Sequence, residues 1–356
     1  MGGQRQSVTI RHVAADAGVS MQTVSRVINN EPNVRPHMAE RVRASIAKLG
    51  YVPSIAAQRL SGSRSYLIVA LNDRERTLAD WRSRQGSDWV NQMLLGGMLT
   101  CAAHGYRLIV ELVDTDHAQV ERELSGAIAA LRPDGVILTP PHSDNPLILA
   151  ILAARHIPFA RIGSCADGPG FTIDMDDRGA AALATRRLID LGHRRIGFIA
   201  GPTDYAQSER RVAGWRDAMA AAGLADTGLL APGDFGFASG TRAATQLLDL
   251  APAPTAIIAS NDQMALAALD QARTRGLAVP DDLSIVSFDD TPVVRYTHPP
   301  LAAISQPIAD VAARAAEMII ARTMGRPVEE ERVVIPSAFV PRASIAPPRP
   351  PHCVSL

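Results

Sequence analysis

Met21, Gln22, Ser25 and Arg26 are spaced so that a helix through them would carry all four on one outer face. Their chemistry suits the edges of base pairs. An arginine can grip guanine O6 and N7 with two parallel bonds, and a glutamine can do the same for adenine N6 and N7, each adding roughly 1–3 kcal/mol of discrimination. Met21 offers apolar contact to a thymine methyl. The hydroxyls of Ser20, Thr23 and Ser25 suit phosphate oxygens, contacts that set register without reading sequence. The same residues would also serve as the polar face of an ordinary three-helix bundle, and residue types alone leave both readings open.

The elements that would position these groups are legible around them. Thr9 is placed to cap a first helix from Ile10 to Ala17, with Ile10, Val13 and Ala14 on one face. Gly18 supplies a tight turn, and Ser20 is placed to cap a second helix through Ile28 with Val24, Val27 and Ile28 turned inward. Asn29, Asn30 and Pro32 interrupt that helix, and a third starts near Pro36, a residue suited to a first helical turn. Two helices joined by a glycine turn, with a third completing a small core, is the helix-turn-helix arrangement.

Charge is distributed to match. Residues 1–64 hold nine Lys/Arg against three acids, a net of +6, and because the 356-residue chain sums to zero the remainder carries −6. A basic head on an acidic body is the asymmetry expected of a nucleic-acid-binding module joined to something else. The chain is long enough for two or three domains, and its 47% hydrophobic content supports sizeable cores. No apolar run approaches the ~18–20 residues that span a bilayer, and the first ten residues lack the apolar stretch of a secretion signal, so a cytoplasmic protein is expected. Cys101, Cys165 and Cys353 are odd in number and far apart, which argues against a disulfide framework or a zinc site. No metal or cofactor is expected.

From Ser65 onward short apolar runs alternate with amphipathic segments. Residues 66–71, 106–112, 135–139, 158–163, 195–201, 256–260 and 283–288 read as strands, and Val90–His104, Val120–Leu131, Asp177–Leu191 and Gln263–Arg275 as helices. This alternation predicts parallel α/β sheets covered on both faces, enough for two, with ligands at the strands' C-terminal ends. A nicotinamide enzyme of this class would need GxGxxG after its first strand, and YLIVALNDRER has no such loop. No GxSxG, HExxH or P-loop occurs, and His193, in the turn of LGHRR, reads as structural, so an enzyme is not expected.

The run VTIRHVAADAGVSMQTVSRVINN, continued by VRPHMAERVRASIAKLGYVPSIAAQRLSG, resembles the DNA-binding head of the LacI/GalR repressor family. The blocks DMDDRGAAALATRRLIDLGHRRIGFIAGP, SERRVAGW, ASNDQMALAALDQARTRGLAVPDDLSIVSFDD and PPLAAISQP extend the resemblance through about residue 343. It implies an all-α helix-turn-helix head plus a periplasmic-binding-protein-like α/β core of two Rossmann-like subdomains. Met21, Gln22 and Arg26 take the base-reading positions. A hinge helix is implied after Pro53, in which Leu60 wedges into the minor groove beside Ala57 while Arg59 lies near phosphate; an apolar wedge of this kind bends DNA.

The resemblance also implies a ligand between the subdomains. Arg211 falls at the family's ligand arginine, and Phe235 at a position where an aromatic stacks on the ligand. Asn261 begins NDQMA just after a strand and Asp289 follows SIVSF, so both stand where sugar hydroxyls could be held by paired donors and acceptors. Asn261 and Asp262 would equally serve to cap the next helix, and Asp289 to satisfy backbone amides. Asp73, Met93, Ser164 and Met175 are weaker candidates, and Trp89 and Asn91 are placed near the same cleft. The chain departs from the family at Gly163, which precedes Ser164 and stands where an acid or polar residue is usual, and in the long charged stretch 74–87.

The organisation expected is a disordered tail at 1–6, a helix-turn-helix domain at 7–52, a hinge at 53–64, a sensing domain at 65–343 and a proline-rich tail at 344–356. Within the sensing domain, residues 65–174 and 306–332 would form one subdomain, and 175–305 and 333–343 the other. The partners implied are double-stranded operator DNA, a small effector (a sugar or glycoside first, a nucleobase or other metabolite as the alternative) and a second copy of the chain. A two-fold dimer reads a pseudo-palindrome that a single head reads weakly. The tail has no leucine heptad, so a dimer rather than a tetramer is expected.

Overall fold

The head folds as its local signals dictate. In the structure, a computed structural model describing residues 8–28, 33–51 and 64–349, Ile10–Ala17 (α1), Met21–Ile28 (α2) and Pro36–Leu49 (α3) enclose a small core of Val13, Ala14, Ala17, Val24, Val27, Val42 and Tyr51. Thr9 and His12 form a reciprocal cap on α1, and Gly18 ends it in the left-handed conformation at φ 61°. Ser20 Oγ accepts from Thr23 N at 3.1 Å, which caps α2. Ser45 is buried on α3 because its hydroxyl donates to Val13 O at 3.3 Å.

Residues from Tyr66 onward form a second compact unit, separate from the one that ends at Ser65. It contains two six-stranded sheets. The first joins Leu67–Asp73 (β1), Arg107–Val113 (β2), Gly135–Leu138 (β3), Phe159–Ile162 (β4), Phe171–Asp174 (β5) and Arg332–Val334 (β11) in the order β11-β5-β4-β3-β1-β2, every pair parallel. The second joins Ile196–Ile199 (β6), Leu230–Ala231 (β7), Ala256–Ala259 (β8), Ser284–Asp289 (β9), Ala302–Ser305 (β10) and Ala338–Val340 (β12) in the order β12-β10-β9-β8-β6-β7, with β12 antiparallel.

Each central strand is buried along its length, which explains its unbroken apolar run: helices cover both sheet faces. Asp88–Ala103 (α5) and Ile308–Thr323 (α12) cover one face of the first sheet; His117–Leu131 (α6) and Pro146–Ala154 (α7) cover the other. Asp177–Asp190 (α8) and Ala206–Ala221 (α9) cover one face of the second, with Phe237–Leu248 (α10) and Asp262–Thr274 (α11) opposite. Gly96 brings α5 against α12 so closely that a Cβ there would lie 1.8 Å from Ala309 O. Among the described residues no helix is long and apolar enough to cross a membrane.

The chain passes between the sheets three times: after β5, after β10 and after β11. Two of the expected boundaries need correction. Val333 and Val334 pair with Ile173 and Asp174, so the first subdomain runs past residue 332. The segment from residue 344, read as the start of a tail, packs across the N-terminal ends of β9 and β10 in the second sheet. Ser344 is fully buried and bonds Ile285 O and Ala302 N, His193 Nε2 meets Ala346 O at 2.9 Å, and Arg349 pairs with Asp281 and Asp282. Proline content signals an absence of regular structure, and here the segment packs without any.

Candidate functional site: the cleft between the two sheets

One cleft gathers the C-terminal ends of both sets of strands. Its lining includes Asn72 and Asp73 at the end of β1, Thr139 and Pro140 after β3, and Trp89 and Val90 at the start of α5. From the second sheet come Tyr205, Gln207 and Arg211 around the start of α9, then Phe235, Asn261, Asp289 and, in the crossover after β10, Gln306. The remaining wall is Arg76, Thr77 and Asp80 of Arg74–Ser83 (α4), with Gly86 after it. The empty volume, counted out to the open mouth, is about 680 Å³, within the range of sites that enclose small organic ligands.

The floor is polar, buried and incompletely bonded. Arg211, 3% exposed, donates from Nε to Asp177 Oδ1 at 2.7 Å and from Nη1 to Ser260 O, with its Cζ 4.6 Å from the Phe288 ring centroid. Gln306 Nε2 shares the same Asp177 oxygen at 3.1 Å. Among the described residues, Gln207 Oε1 and Gln306 Oε1 of the lining are buried with no hydrogen-bond partner, as are Asp177 Oδ2, Ser208 Oγ and Ser260 Oγ of residues outside the lining. Buried polar atoms are otherwise almost always paired, so the two glutamine oxygens in the lining are groups held ready for a ligand or water.

Two non-glycine residues of the lining adopt left-handed backbone, Phe235 at φ 67° and Asp289 at φ 93°. Conformations of this kind cost about 1–3 kcal/mol and persist where the surroundings impose them. Phe235 is held by Asn261 Nδ2 donating to its carbonyl at 2.8 Å and by Tyr205 edge-on at 5.6 Å. Gly201 leaves the ring its room: a Cβ there would sit 2.3 Å from Phe235 Cε1. Burial pushes the Asp289 carboxyl well above the ordinary carboxylate range, Arg211 partly opposing it and Asp177 adding to it. Burial also raises Asp262, which the charge of Asp289 reinforces; Asp262 meanwhile accepts from Ser287 Oγ and from Thr291 N and Oγ1, both at 2.6 Å.

Arg211, Phe235, Asn261, Asp289 and Asp73 therefore converge on one cleft, joined by Trp89. Asn261 both lines it and caps α11, its Oδ1 accepting from Met264 N at 3.0 Å. Asp73 caps α4 through Arg76 N and accepts from Tyr205 OH at 2.9 Å, a bond from one subdomain to the other. Four expected residues are not in the lining. Met93 and Met175 are buried in the core beneath the first sheet, because each faces the α12 side rather than the strand ends. Ser164 is buried with its Oγ on Asp144 at 2.6 Å, where it fixes the loop after β4. Asn91 is exposed on α5 outside the lining.

Sequence reasoning missed Asn72, Thr139, Tyr205, Gln207 and Gln306. The signal for Asn72, Thr139 and Gln306 was their place at or just past a strand end, the position already used to single out Asn261. Within the charged stretch 74–87, which departs from the family, residues Arg74–Ser83 form α4 along the cleft wall.

In the head, Met21, Gln22 and Arg26 are exposed together on α2, opposite buried Val24 and Val27. Ser20 and Thr23 are partly engaged with each other, Oγ to Oγ1 at 2.9 Å. Ala57, Arg59 and Leu60 lie outside the described residues.

Residues 9–54 match the family described as bacterial regulatory proteins, lacI family, and residues 185–345 match the periplasmic binding protein-like domain. The HTH-type transcriptional regulator CelR of Thermobifida fusca is 34% identical over 348 residues, covering 96% of this chain and 99% of that protein. The chain belongs to the LacI family. Solved structures agree over the same span. A transcriptional regulator CelR–cellobiose complex aligns with a TM-score of 0.71 at 33% identity, over 95% of this chain and 99% of that one. A lac repressor dimer bound to operator and the anti-inducer ONPF aligns with a TM-score of 0.76 at 28% identity, over 96% and 100%. As a LacI-family member the chain is a DNA-binding transcriptional regulator and not an enzyme, and its cleft is the one between the two subdomains of the periplasmic-binding-protein-like core.

Proposed function

We propose that this regulator represses carbohydrate-utilisation genes, binding a pseudo-palindromic operator as a homodimer, and that a neutral sugar or glycoside in the intersubdomain cleft sets its affinity for DNA. The observation that carries the sugar reading is the polar lining of the cleft, in which Gln207 Oε1 and Gln306 Oε1 have no hydrogen-bond partner among the described residues and stand with Arg211, Asn261 and Asp289. A ring bearing several hydroxyls both donates and accepts, and so can answer such a set. Charge points to a neutral ligand. The lining holds two guanidinium groups, Arg76 and Arg211, against the three carboxylates of Asp73, Asp80 and Asp289, and both arginines already face an aspartate, Asp80 and Asp177. A phosphorylated sugar would meet uncompensated negative charge.

In the head, Met21, Gln22 and Arg26 read bases while Ser20, Thr23, Ser25 and Arg59 contact the backbone. Ala57 and Leu60 of the hinge enter the minor groove, as the family resemblance implies. Operator dyads call for two copies of the head. The apolar stripe Leu95, Met98 and Leu99 on α5, exposed at 50%, 53% and 65%, is a surface for the second copy. The protein would work in the cytoplasm, associated with the nucleoid.

The test is a thermal-shift screen of neutral sugars, followed by operator gel shifts with each hit. A sugar that stabilises the wild type but not Arg211→Ala, and that changes the operator shift, is the expected result. Stabilisation kept in Arg211→Ala would refute the site, and an operator shift indifferent to every stabilising sugar would refute the gating.

A further inference from the structure

The core fold does not account for α4. Seven of the helix's ten residues are polar, only Thr77 is buried in it, and none of its side chains joins a hydrophobic core. Polar contacts hold it instead. Arg74 pairs with Glu123 at 2.7 Å and donates to Leu112 O, and Asp73 caps its first turn. A helix held this way contributes little to stability, so its side chains answer to the surface they face. That surface is the cleft, which Arg76, Thr77 and Asp80 line.

These groups stand nearer the mouth than the floor does. The side chains of Arg76 and Asp80 are 27% and 17% exposed, against 4% and 0% for Arg211 and Asp177. Arg76 Nε bonds Asp80 Oδ2 at 3.2 Å, its Nη1 donates to Asp234 O across the cleft, and its Cζ lies 5.5 Å from the Phe235 ring centroid. Among the described residues this leaves Arg76 Nη2 and Asp80 Oδ1 with no hydrogen-bond partner. A guanidinium and a carboxylate side by side, each with one uncommitted edge, suit two adjacent hydroxyls: one accepts from the arginine, the next donates to the aspartate. Trp89 lines the same cleft, and an indole presents a broad apolar face for the C–H side of a sugar ring.

We propose that Arg76 and Asp80 are specificity-determining residues that bind a second sugar ring at the cleft mouth, so that the effector is an oligosaccharide of at least two rings. The proposal rests on the reading of the cleft as a sugar site. Its first ring occupies the floor at Arg211, Asp289 and Asn261, and its second reaches α4.

The test titrates full-length protein with glucose, cellobiose and cellotriose, alongside other neutral monosaccharide–disaccharide pairs, reading tight binders by calorimetry and weak ones by displacement. The wild type is expected to bind the preferred disaccharide at least about tenfold more tightly than its monosaccharide, and Arg76→Ala and Asp80→Asn each to reduce that ratio about tenfold. Arg211→Ala should lose both ligands. If α4 served only to brace the closed cleft, the two variants would weaken both ligands alike and leave the ratio unchanged, which overturns the proposal. A monosaccharide bound by the wild type as tightly as its disaccharide overturns it too. Should none of these sugars bind the wild type, the sugar reading itself falls and takes the second ring with it.

Discussion

Arg211 Nε and Asp177 Oδ1 are 2.7 Å apart, with side-chain exposures of only 4% and 0%, and the second oxygen of Asp177 has no partner among the described residues. The pair is thus a buried charge bridge, of which Arg211 lines the cleft and Asp177 holds it in place. Such bridges are costly to break, because removing one partner strands the other's charge in a low-dielectric site, at about 3–5 kcal/mol. Arg211→Ala should therefore lose stability by about that amount in urea denaturation as well as losing effector binding. Removing both groups, in Arg211→Met with Asp177→Leu, should recover most of the stability and none of the binding. A double variant no more stable than Arg211→Ala would contradict this account of the pair.

Gly201 tests the placement of Phe235. An added Cβ would meet Phe235 Cε1 at 2.3 Å and Ser208 Oγ at 2.4 Å, so Gly201→Ala must push the ring into the cleft or away from it. We expect effector affinity to fall at least about tenfold, while circular dichroism keeps the wild-type helix content and operator binding without effector persists. That figure corresponds to about 1.4 kcal/mol, modest beside the contact it disturbs.

The raised carboxyls of Asp262 and Asp289 give a pH dependence whose sign can be worked out. Burial holds both folded-state values above the unfolded reference of 3.8. Between the unfolded and folded values the native state binds more protons, so stability falls as pH rises from about 4 towards neutrality and then levels off. Asp289→Asn removes one of these groups without changing its shape. Its melting temperature should exceed the wild type's at pH 8, and the gap should narrow at pH 4. A gap that widens on acidification would reverse the assignment.

On the DNA side, Arg26→Ala or Gln22→Ala should each weaken operator binding by roughly 1–3 kcal/mol in gel shifts, selectively at one base pair. Leu60→Ala should weaken operator binding without unfolding either unit. None of the three should alter the thermal shift caused by the effector, because the head and the sensing unit are separate compact units. An unchanged operator affinity in Leu60→Ala would remove the hinge from the mechanism.

The dimer surface can be probed in the same chain. Leu99→Asp places a charge in the exposed stripe Leu95, Met98 and Leu99, on the side of α5 away from its buried Met93 and Gly97. Sedimentation should then report a monomer with wild-type melting of its secondary structure. A dimer unaffected by the charge would place the contact elsewhere.

Local sequence determined the elements and their ends. Thr9, Ser20 and Gly18 set the helix boundaries of the head because capping and left-handed turns depend on residues one to three positions apart. Unbroken apolar runs such as 67–71 determined the buried parallel strands, because a strand covered on both faces needs no polar side. Arg211, Asn261 and Asp289 could be singled out because each stands at an element end near the cleft, where family resemblance or strand position marked it. Tertiary structure decided the rest. Whether Met93 and Met175 face core or cleft depends on which side α12 packs against, and α12 follows them by more than a hundred residues. The three-residue strands β11 and β12 are too short to show a period and exist only because a sheet edge awaits them. Gln207, Gln306 and Asp177 become one unpartnered cluster only after the chain has crossed between the sheets, and α4 acquires a purpose only from the cleft it lines. Periodicity and capping are short-range and leave their mark in neighbouring residues. Convergence is long-range, paid for by the burial of two whole sheets, and no local window contains it.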